Sequence, residues 1–435
     1  MIRRWLLGVI VGLGLSLALR AEVKLAQGTA LPNQIGPHVF VLPHNWAGRL
    51  PPQGAVNVPV WYKDLAPGQA VSVGLLAQGP AHESQFDGVT VNLTIKSADR
   101  TILERRGLKP QAARRVKGEG ADMALMALKA GGVSEADLAH AADAMALMAV
   151  AVFPVDWTVP ADQTGELEFA VEVVGAAQPV KTEPTRVPVK TVTDWLKAPP
   201  PTEQQVGNQL RGYQAVRSTG ELLAWFNVVA KSRMLKASPV QAFFAYAFNA
   251  DASARATVIA AYPQLEPAVQ SALLWVLRLG GADVRAMFPT ETAETLAPFK
   301  ALAPLADPRQ LPQFHDPVDV QAAASIGQVM DRCWAGWMAT GDQSYLRPLV
   351  DLLAGAGDYS TFEAWTKAKG GAKGLNAQVA RGMTYQIAGW SIGSFERSDP
   401  LVADWLAYWQ NDPATPDVIR REIGTLLTNP AFRRR

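Results

Sequence analysis

The sequence predicts a multidomain α+β protein, with an antiparallel β-sandwich in its N-terminal half and an all-α helical array in its C-terminal half. Residues 22–197 contain short runs of β-branched residues that alternate with polar ones and are bounded by Pro or Gly. Residues 204–430 instead repeat apolar residues with the 3.6-residue period of an amphipathic helix. Because the chain has 435 residues, it also exceeds the usual size of one domain, which favours a division between these two patterns.

Residues 1–21 have the layout of a secretory signal peptide. Arg3 and Arg4 supply a positive start, residues 5–19 are apolar, and an alanine precedes a cleavage site before Glu22. The apolar run is shorter than the roughly 20 residues that span a bilayer. We therefore expect an exported bacterial protein, periplasmic or secreted, with no integral membrane span after cleavage. The leucine at the third position before the cut is less favourable than alanine, so an inner-membrane anchor through residues 5–19 is the alternative.

The charge balance of the chain is nearly even. It has 41 basic and 39 acidic residues and a formal net charge of +2, which provides no overall field that would attract nucleic acid. Cys333 is the only cysteine, so no internal disulfide can form. An exported chain with one cysteine depends on core packing for its stability, which is typical of a bacterial envelope protein.

The strands of the N-terminal domain are predicted from period-two alternation. In residues 89–96, apolar residues at odd positions alternate with polar residues at even positions, as in an antiparallel sheet with one buried face. A β-sandwich closes such sheets, and because the cysteine pair of antibody domains is absent, only an Ig-like architecture is implied. The predicted strands are 55–62, 69–77, 88–97, 165–174 and 186–192.

A helical hairpin is predicted as an insertion between these strands at about residues 119–150. The segment is rich in Ala, Leu and Met, Gly131 and Gly132 end its first helix, and Ser134 caps its second. We interpret its methionine stripe as packed on the sandwich. The alternative is that this adaptable methionine-rich face binds varied partners. The stripe consists of Met123, Met126, Met145 and Met148.

A Pro-rich linker at residues 198–203 separates the two domains, since Pro199, Pro200 and Pro201 form a stiff extended spacer. Beyond it, residues that favour helix N-termini precede several apolar-periodic segments. Consecutive helices with short connections favour an α-solenoid or a related helical array. The predicted helices are 203–215, 219–233, 238–249, 252–261, 265–279, 290–302, 317–339, 342–355, 358–369, 374–394, 399–410 and 415–428.

One pattern occurs twice in the helical half. In each copy a long helix carries a tryptophan, a polar cap follows, and an apolar helix comes next. The equivalent pairs, at a constant interval, are Trp337 and Trp390, Leu349 and Val402, and Leu353 and Leu406. The pattern resembles tetratricopeptide-like (TPR-like) helical arrays, although the full repeat signature is absent. The resemblance implies a concave surface for a protein or peptide and no catalytic residues.

The segment 333–353 is predicted to be a corner between two helices. Thr340 and Gly341 end the first helix, because glycine suits the left-handed conformation that follows a helix, and Asp342 caps the second. Cys333 lies in the helical run before this corner, with neither a base nor a helix N-terminus evident nearby to activate its thiol. We therefore interpret Cys333 as a core residue.

No catalytic, cofactor-binding or metal-binding residue is predicted. The five histidines lack the spacing of metal ligands, and the Gly-rich segments do not follow the strand-to-helix pattern of a phosphate loop. Residues 389–393 match G-x-S-x-G around Ser391, but they lie within a helical pattern, and His315 precedes the serine. Close packing of helices at small residues explains this match better than a nucleophile.

We expect a non-enzymatic scaffold that binds a protein or peptide. The alternative is a carbohydrate-active enzyme, a hydrolase or lyase with an α/α-toroid-like fold that uses two carboxylates in a Trp-lined cleft. We prefer the scaffold, because helix capping can explain acidic residues at helix starts and core packing can explain tryptophans that share a helix face. The candidate acids are Asp331, Asp342, Glu363, Asp399 and Asp404. The candidate aromatic walls are Trp225, Trp275, Trp334, Trp337, Trp365, Trp390, Trp405 and Trp409, with Tyr345, Tyr385 and Tyr408.

Overall fold

The computed structural model describes most of the chain from residue 35 to residue 428. The described residues are 35–44, 46–52, 56, 62, 64–78, 86–116, 148–175, 180–216, 218–250, 252–371 and 374–428. The predicted signal peptide and residues 119–147 of the predicted hairpin lie outside them. So does the predicted strand 55–62, except for Val56 and Tyr62.

The N-terminal half contains two antiparallel sheets. The strands are β1 (Ile35–Pro43), β2 (Ala70–Gln78), β3 (Thr90–Ser97), β4 (Arg100–Leu108), β5 (Ala112–Val116), β6 (Met148–Thr158), β7 (Gly165–Val174), β8 (Val180–Lys181) and β9 (Thr185–Val189). The first sheet has the order β1-β2-β6-β5. The second has the order β4-β3-β7-β8, and β9 also pairs with β7.

Both sheets contribute side chains to one hydrophobic core. In β3, Val91, Leu93 and Ile95 are buried and their neighbours are half-buried, as the alternation predicts. The same pattern holds in β7, where Phe169 is fully buried. Side chains of β1, β2 and β6 pack against these residues in the same cluster, so each sheet has one face in this core.

The first sheet is also buried on its other face. Leu42 of β1 and Val152 of β6 belong to a separate cluster with Trp46, Leu50 and Leu401. Leu401 lies in the helical half, so this face joins the two halves of the chain. With both faces covered, β6 has no polar alternation, and it begins at Met148, before the end predicted for the hairpin at residue 150.

The C-terminal half is helical, as predicted. Its α-helices are α1 (Val192–Lys197), α2 (Glu203–Leu210), α3 (Tyr213–Val216), α4 (Thr219–Ala230), α5 (Ser238–Ala250), α6 (Ala252–Ala261), α7 (Pro267–Leu279), α8 (Val284–Met287), α9 (Ala293–Lys300), α10 (Val320–Thr340), α11 (Arg347–Asp351), α12 (Tyr359–Lys367), α13 (Ala377–Ser398), α14 (Pro400–Asn411) and α15 (Asp417–Thr428). Short 3₁₀ segments are Ala47–Arg49, Arg233–Lys236, Tyr262–Gln264 and Leu352–Asp358. Side-chain caps begin several of these helices, including Thr202 for α2, Asp319 for α10 and Asn376 for α13.

The short helix α1 precedes the Pro-rich segment and was not predicted. Its Trp195 is buried and lies against Gly220 of α4. Thr193 donates a 3.1 Å hydrogen bond to the Gln264 side chain. Although α1 lies within the range predicted for the β domain, its contacts are with the helices that follow it.

The helical half has two hydrophobic cores that share α10. One gathers residues of α2 to α9 and includes Ala335 and Ala339 of α10. The other contains residues of α10, α11, α13, α14 and α15 and includes Cys333 and Trp337 from the opposite side of α10.

Gly341 ends α10 in the left-handed conformation as predicted, with φ of +64°. The prediction that Asp342 caps a helix over 342–355 was wrong: Asp342 accepts the backbone N–H of Ser344 in a turn, and α11 begins only at Arg347, after Leu346.

Candidate functional site

Cys333 is a core residue, as interpreted from the sequence. Its side chain is fully buried, and its Sγ donates a 3.1 Å hydrogen bond to the Pro308 carbonyl. Burial raises the pKa of the thiol to about 12. The thiolate is the nucleophilic form of cysteine, so this environment opposes reactivity at neutral pH.

Ser391 lies in the interior of α13, not at a turn between a strand and a helix. Its hydroxyl donates a 3.0 Å hydrogen bond to the Ala388 carbonyl one turn earlier, an ordinary contact for a serine within a helix. Across the residues that the structure describes, no group of three or more His, Cys, Asp or Glu side chains is placed to hold a metal ion.

The aromatic residues considered for a glycan cleft are divided between the cores and the surface. The buried tryptophans are Trp225, Trp334, Trp337, Trp405 and Trp409, whereas Trp390 is 56% exposed. Among the candidate acids, Asp331, Asp342 and Glu363 are exposed, and Asp399 and Asp404 are buried. Asp399 caps α14 and accepts the Trp337 indole N–H, so its carboxylate is already engaged. This packing lends no support to the carbohydrate-active alternative.

A cavity of about 590 Å³ lies at the ends of α7, α8 and α9. Its lining residues are Arg278, Gly281, Ala282, Asp283, Val284, Arg285, Ala293, Leu296, Phe299 and Lys300. The volume falls within the range of about 300 to 1,000 Å³ that is common for ligand pockets. This cavity is therefore the first place to look for a binding site.

Two glycines allow the chain to turn sharply at the rim of this cavity. Gly280 lies so close to α5 that an added Cβ would overlap with Asn249 and the carbonyl of Ala245. Gly281 has φ of +88°, a conformation that other residues rarely adopt. The chain then enters α8, whose N-cap Asp283 accepts hydrogen bonds from the backbone N–H groups of two α8 residues. The turn thus brings the end of α7 and the start of α8 to one cavity wall.

The cavity carries positive charge that is not neutralised locally. Arg278, Arg285 and Lys300 have no side-chain hydrogen bond or ion pair to any residue in the described part of the chain. Asp283 is the one acid among the lining residues, and its Oδ1 is engaged with the backbone N–H groups of Arg285 and Ala286 at 3.1 and 3.2 Å. The lining therefore has three basic side chains and one acidic side chain, so positive charge is in excess.

Apart from the charged residues, the wall of the cavity is apolar. Val284, Leu296 and Phe299 are buried and line the cavity while also belonging to the first helical core. Because that core fixes them, the apolar wall is rigid before any ligand arrives. The cavity combines a basic rim with an apolar wall, and this arrangement suits a ligand that is both anionic and partly hydrophobic.

A second cavity, of about 400 Å³, has a different electrostatic character. It lies beside the extended segment 309–314, with Arg309, Asp351 and Arg381 among its lining residues. Each of these charges has a partner of opposite sign: Arg309 pairs with Asp307 at 2.8 Å, Asp351 with Arg347 at 2.8 Å, and Arg381 with Asp358 at 2.7 Å. Because these three charged side chains already have partners of opposite sign, they are not available to bind an ionic ligand.

Comparison with protein-family models, with curated proteins and with solved structures found no match to this chain. Within the described ranges, none of the helices combines the length and the apolar character needed to cross a membrane.

The residues of the basic cavity were not singled out from the sequence. Arg278, Arg285 and Lys300 belong to no recognisable motif, and isolated basic residues are common on protein surfaces. Arg278 and Lys300 lie in the last turns of α7 and α9, where cations are favoured by the helix dipole in any case. Only the fold shows that these three side chains line the same cavity.

Proposed function

We propose that this chain is an exported bacterial protein, periplasmic or secreted, that acts as a non-enzymatic scaffold and binds an acidic protein or peptide segment at the basic cavity. The observation that carries this proposal is the set of three cations without described ion pairs, Arg278, Arg285 and Lys300, around one cavity. A partner's carboxylates would supply the missing negative charge, and complementary charge at an interface favours both association rate and specificity.

The architecture is consistent with such a role. We propose that the two sheets form an Ig-like sandwich, since their inner faces share one core. We further propose that the helices form a TPR-like solenoid, a class of fold that commonly binds peptides on an extended surface. The proposed export depends on the N-terminal layout with cleavage before Glu22. Sequencing the mature N-terminus tests it, and a chain that retains residues 5–19 would instead indicate an inner-membrane anchor.

Binding of acidic peptides tests the proposed function directly. The test variant is R285Q/K300Q, which removes two cations of the cavity. The matched control is R233Q/K236Q, which removes one exposed arginine and one exposed lysine from the 3₁₀ segment Arg233–Lys236 outside the cavity. Both variants lose the same net charge, so any effect of overall charge is common to the two.

We expect fluorescence anisotropy to show that glutamate-rich peptides bind the wild type and the control alike, and R285Q/K300Q about tenfold more weakly, a difference of about 1.4 kcal/mol. Affinity should fall as salt rises, because the cavity rim is open to solvent. Equal affinity of the two variants, or no binding to the wild type, would refute the proposed site.

A further inference from the structure

We infer that the basic cavity takes the C-terminal carboxylate of a peptide whose last residue is apolar. This inference rests on the proposed peptide-binding function and specifies which part of the partner enters. It follows from three features of the cavity: the apolar wall beside the cations, the backbone groups that α9 presents and the arrangement of the three cations.

The first feature is the close association of cations with an apolar wall. The C-terminal residue of a peptide carries a carboxylate and a side chain on the same carbon atom. It therefore offers an anion to Arg285 and Lys300 and, beside it, an apolar group to Leu296 and Phe299. An internal Asp or Glu carries its carboxylate at the tip of the side chain and offers no adjacent apolar group. The small part of the Leu296 and Phe299 side chains that faces the cavity would then remain in contact with solvent, and its burial would contribute nothing to affinity.

The second feature is the start of α9 in the cavity lining. Ala293 is the first residue of this helix, and its backbone N–H has no hydrogen-bond partner among the described residues. The Thr292 side chain caps the N–H of Thr295 instead, at 3.1 Å. Free N–H groups at a helix N-terminus bind carboxylates, and the helix dipole adds to the attraction. The α9 terminus thus supplements the cations of the rim through its backbone N–H groups, while the acidic residue of its first turn, Glu294, is exposed and does not line the cavity.

The third feature is the arrangement of the cations around α9. Arg278 and Lys300 approach from the ends of two helices, and Arg285 comes from α8 between them in sequence. A guanidinium pairs with both oxygens of a carboxylate, whereas an ammonium acts as a point charge. Two guanidinium groups and one ammonium group exceed the need of a single carboxylate, so the site tolerates a second acid near the end of the peptide.

The test compares peptides that differ only at their C-terminus. One fluorescein-labelled peptide ends in Ala-Leu-Phe as the free acid, and a second has the same sequence with a C-terminal amide. A third ends in Ala-Ser-Ser as the free acid, and a fourth is a glutamate-rich peptide with a C-terminal amide. Anisotropy titrations are made with the wild type, with R285Q/K300Q and with the control R233Q/K236Q, after circular dichroism has shown that all three are folded.

We expect the apolar free acid to bind the wild type and the control at least about tenfold more tightly than its amide, because the amide lacks the charge that the cations require. R285Q/K300Q should lose this preference. N-Acetylphenylalanine should displace the free-acid peptide, since it carries the same carboxylate beside the same apolar group.

Equal affinity for the acid and the amide would overturn the inference. If the glutamate-rich amide binds at the cavity and the free acid shows no advantage, the proposed function stands and only the C-terminal assignment fails. If no peptide binds the wild type, both fail. Displacement by octanoate at a lower concentration than by N-acetylphenylalanine would assign the cavity to fatty acids and overturn the peptide assignment.

Discussion

The indole Nε1 of Trp405 donates a 2.8 Å hydrogen bond to the backbone carbonyl of Arg49, so α14 is bonded to the 3₁₀ turn that follows β1. The Arg49 guanidinium donates to the carbonyl of Gln214 in α3. Gln214 and Trp337 both donate to Oδ2 of Asp399, at 3.0 and 2.7 Å. All five residues are buried, and the network joins the sheets to two regions of the helical half. Buried polar networks stabilise one arrangement when their members are bonded, so we expect the two halves to hold each other in place.

Trp405→Phe should destabilise the protein through the loss of this contact. Phenylalanine lacks the N–H, so the buried carbonyl of Arg49 would lose its indole donor, at a cost of about 1 to 3 kcal/mol in the free energy of unfolding. Urea denaturation measures this change. The control is Trp390→Phe on the exposed face of α13, which should change stability by less than about 0.5 kcal/mol. Equal losses for the two variants would show that the Trp405 contact is not significant.

The buried carboxylate of Asp399 should make stability depend on pH. Burial raises its pKa, while hydrogen bonds from Trp337, Leu401 and Gln214 oppose the rise. The native state therefore binds this proton more tightly than the unfolded chain does. Its contribution to the free energy of unfolding is greatest at pH values below the unfolded pKa and is lost as pH rises through the native pKa.

The comparison with Asp399→Asn isolates this group from the other carboxylates. Asparagine does not titrate, so the free energy of unfolding of the wild type minus that of the variant should increase as pH falls from 7 towards the unfolded pKa near 3.8. Urea denaturation at a series of pH values provides the two curves. A difference that stays constant, or that decreases as pH falls, would contradict the raised native pKa.

Most helices of the C-terminal half can be predicted from local sequence because they bury one face, although α12 has no buried residue. The segment 252–261 was predicted from its apolar period, and α6 has the same bounds. The strand β6 was missed for the opposite reason. Its Ala151 and Val152 are buried on opposite faces, so the strand lacks the polar alternation that identifies a half-buried strand.

Local sequence patterns cannot predict the polar network or the basic cavity. Trp405 and Arg49 are 356 positions apart, and no spacing rule connects such residues. Helix capping explains Asp399 only in part, because its bonds to Gln214 and Trp337 come from other helices. Such contacts arise only when the helices pack, which is also why the three cations of the cavity were not recognised as a group.

Cys333 should react with thiol reagents only after the protein unfolds. Burial raises its pKa to about 12, so the thiol is protonated at pH 8, and the side chain is inaccessible as well. We expect Ellman's reagent to detect essentially no thiol in the native protein and one thiol per chain in denaturant. Rapid reaction of the native protein would show that the core around α10 opens readily.

Gly220→Ala should destabilise the protein by disturbing the contact between α1 and α4. A Cβ at this position would overlap with the buried indole ring of Trp195, so α1 or the ring must shift. Overpacking of this kind costs about 1 to 3 kcal/mol, more than alanine gains from its helix propensity.

The matched control for this contact is Gly327→Ala in the interior of α10, where an added Cβ meets no atom within 4 Å. This substitution should stabilise the protein by up to about 1 kcal/mol, because alanine favours the helix more than glycine does. Thermal unfolding should therefore shift in opposite directions for the two variants. Stabilisation by both would mean that Trp195 does not pack on α4, and α1 would then be a free extension of the linker rather than part of the helical core.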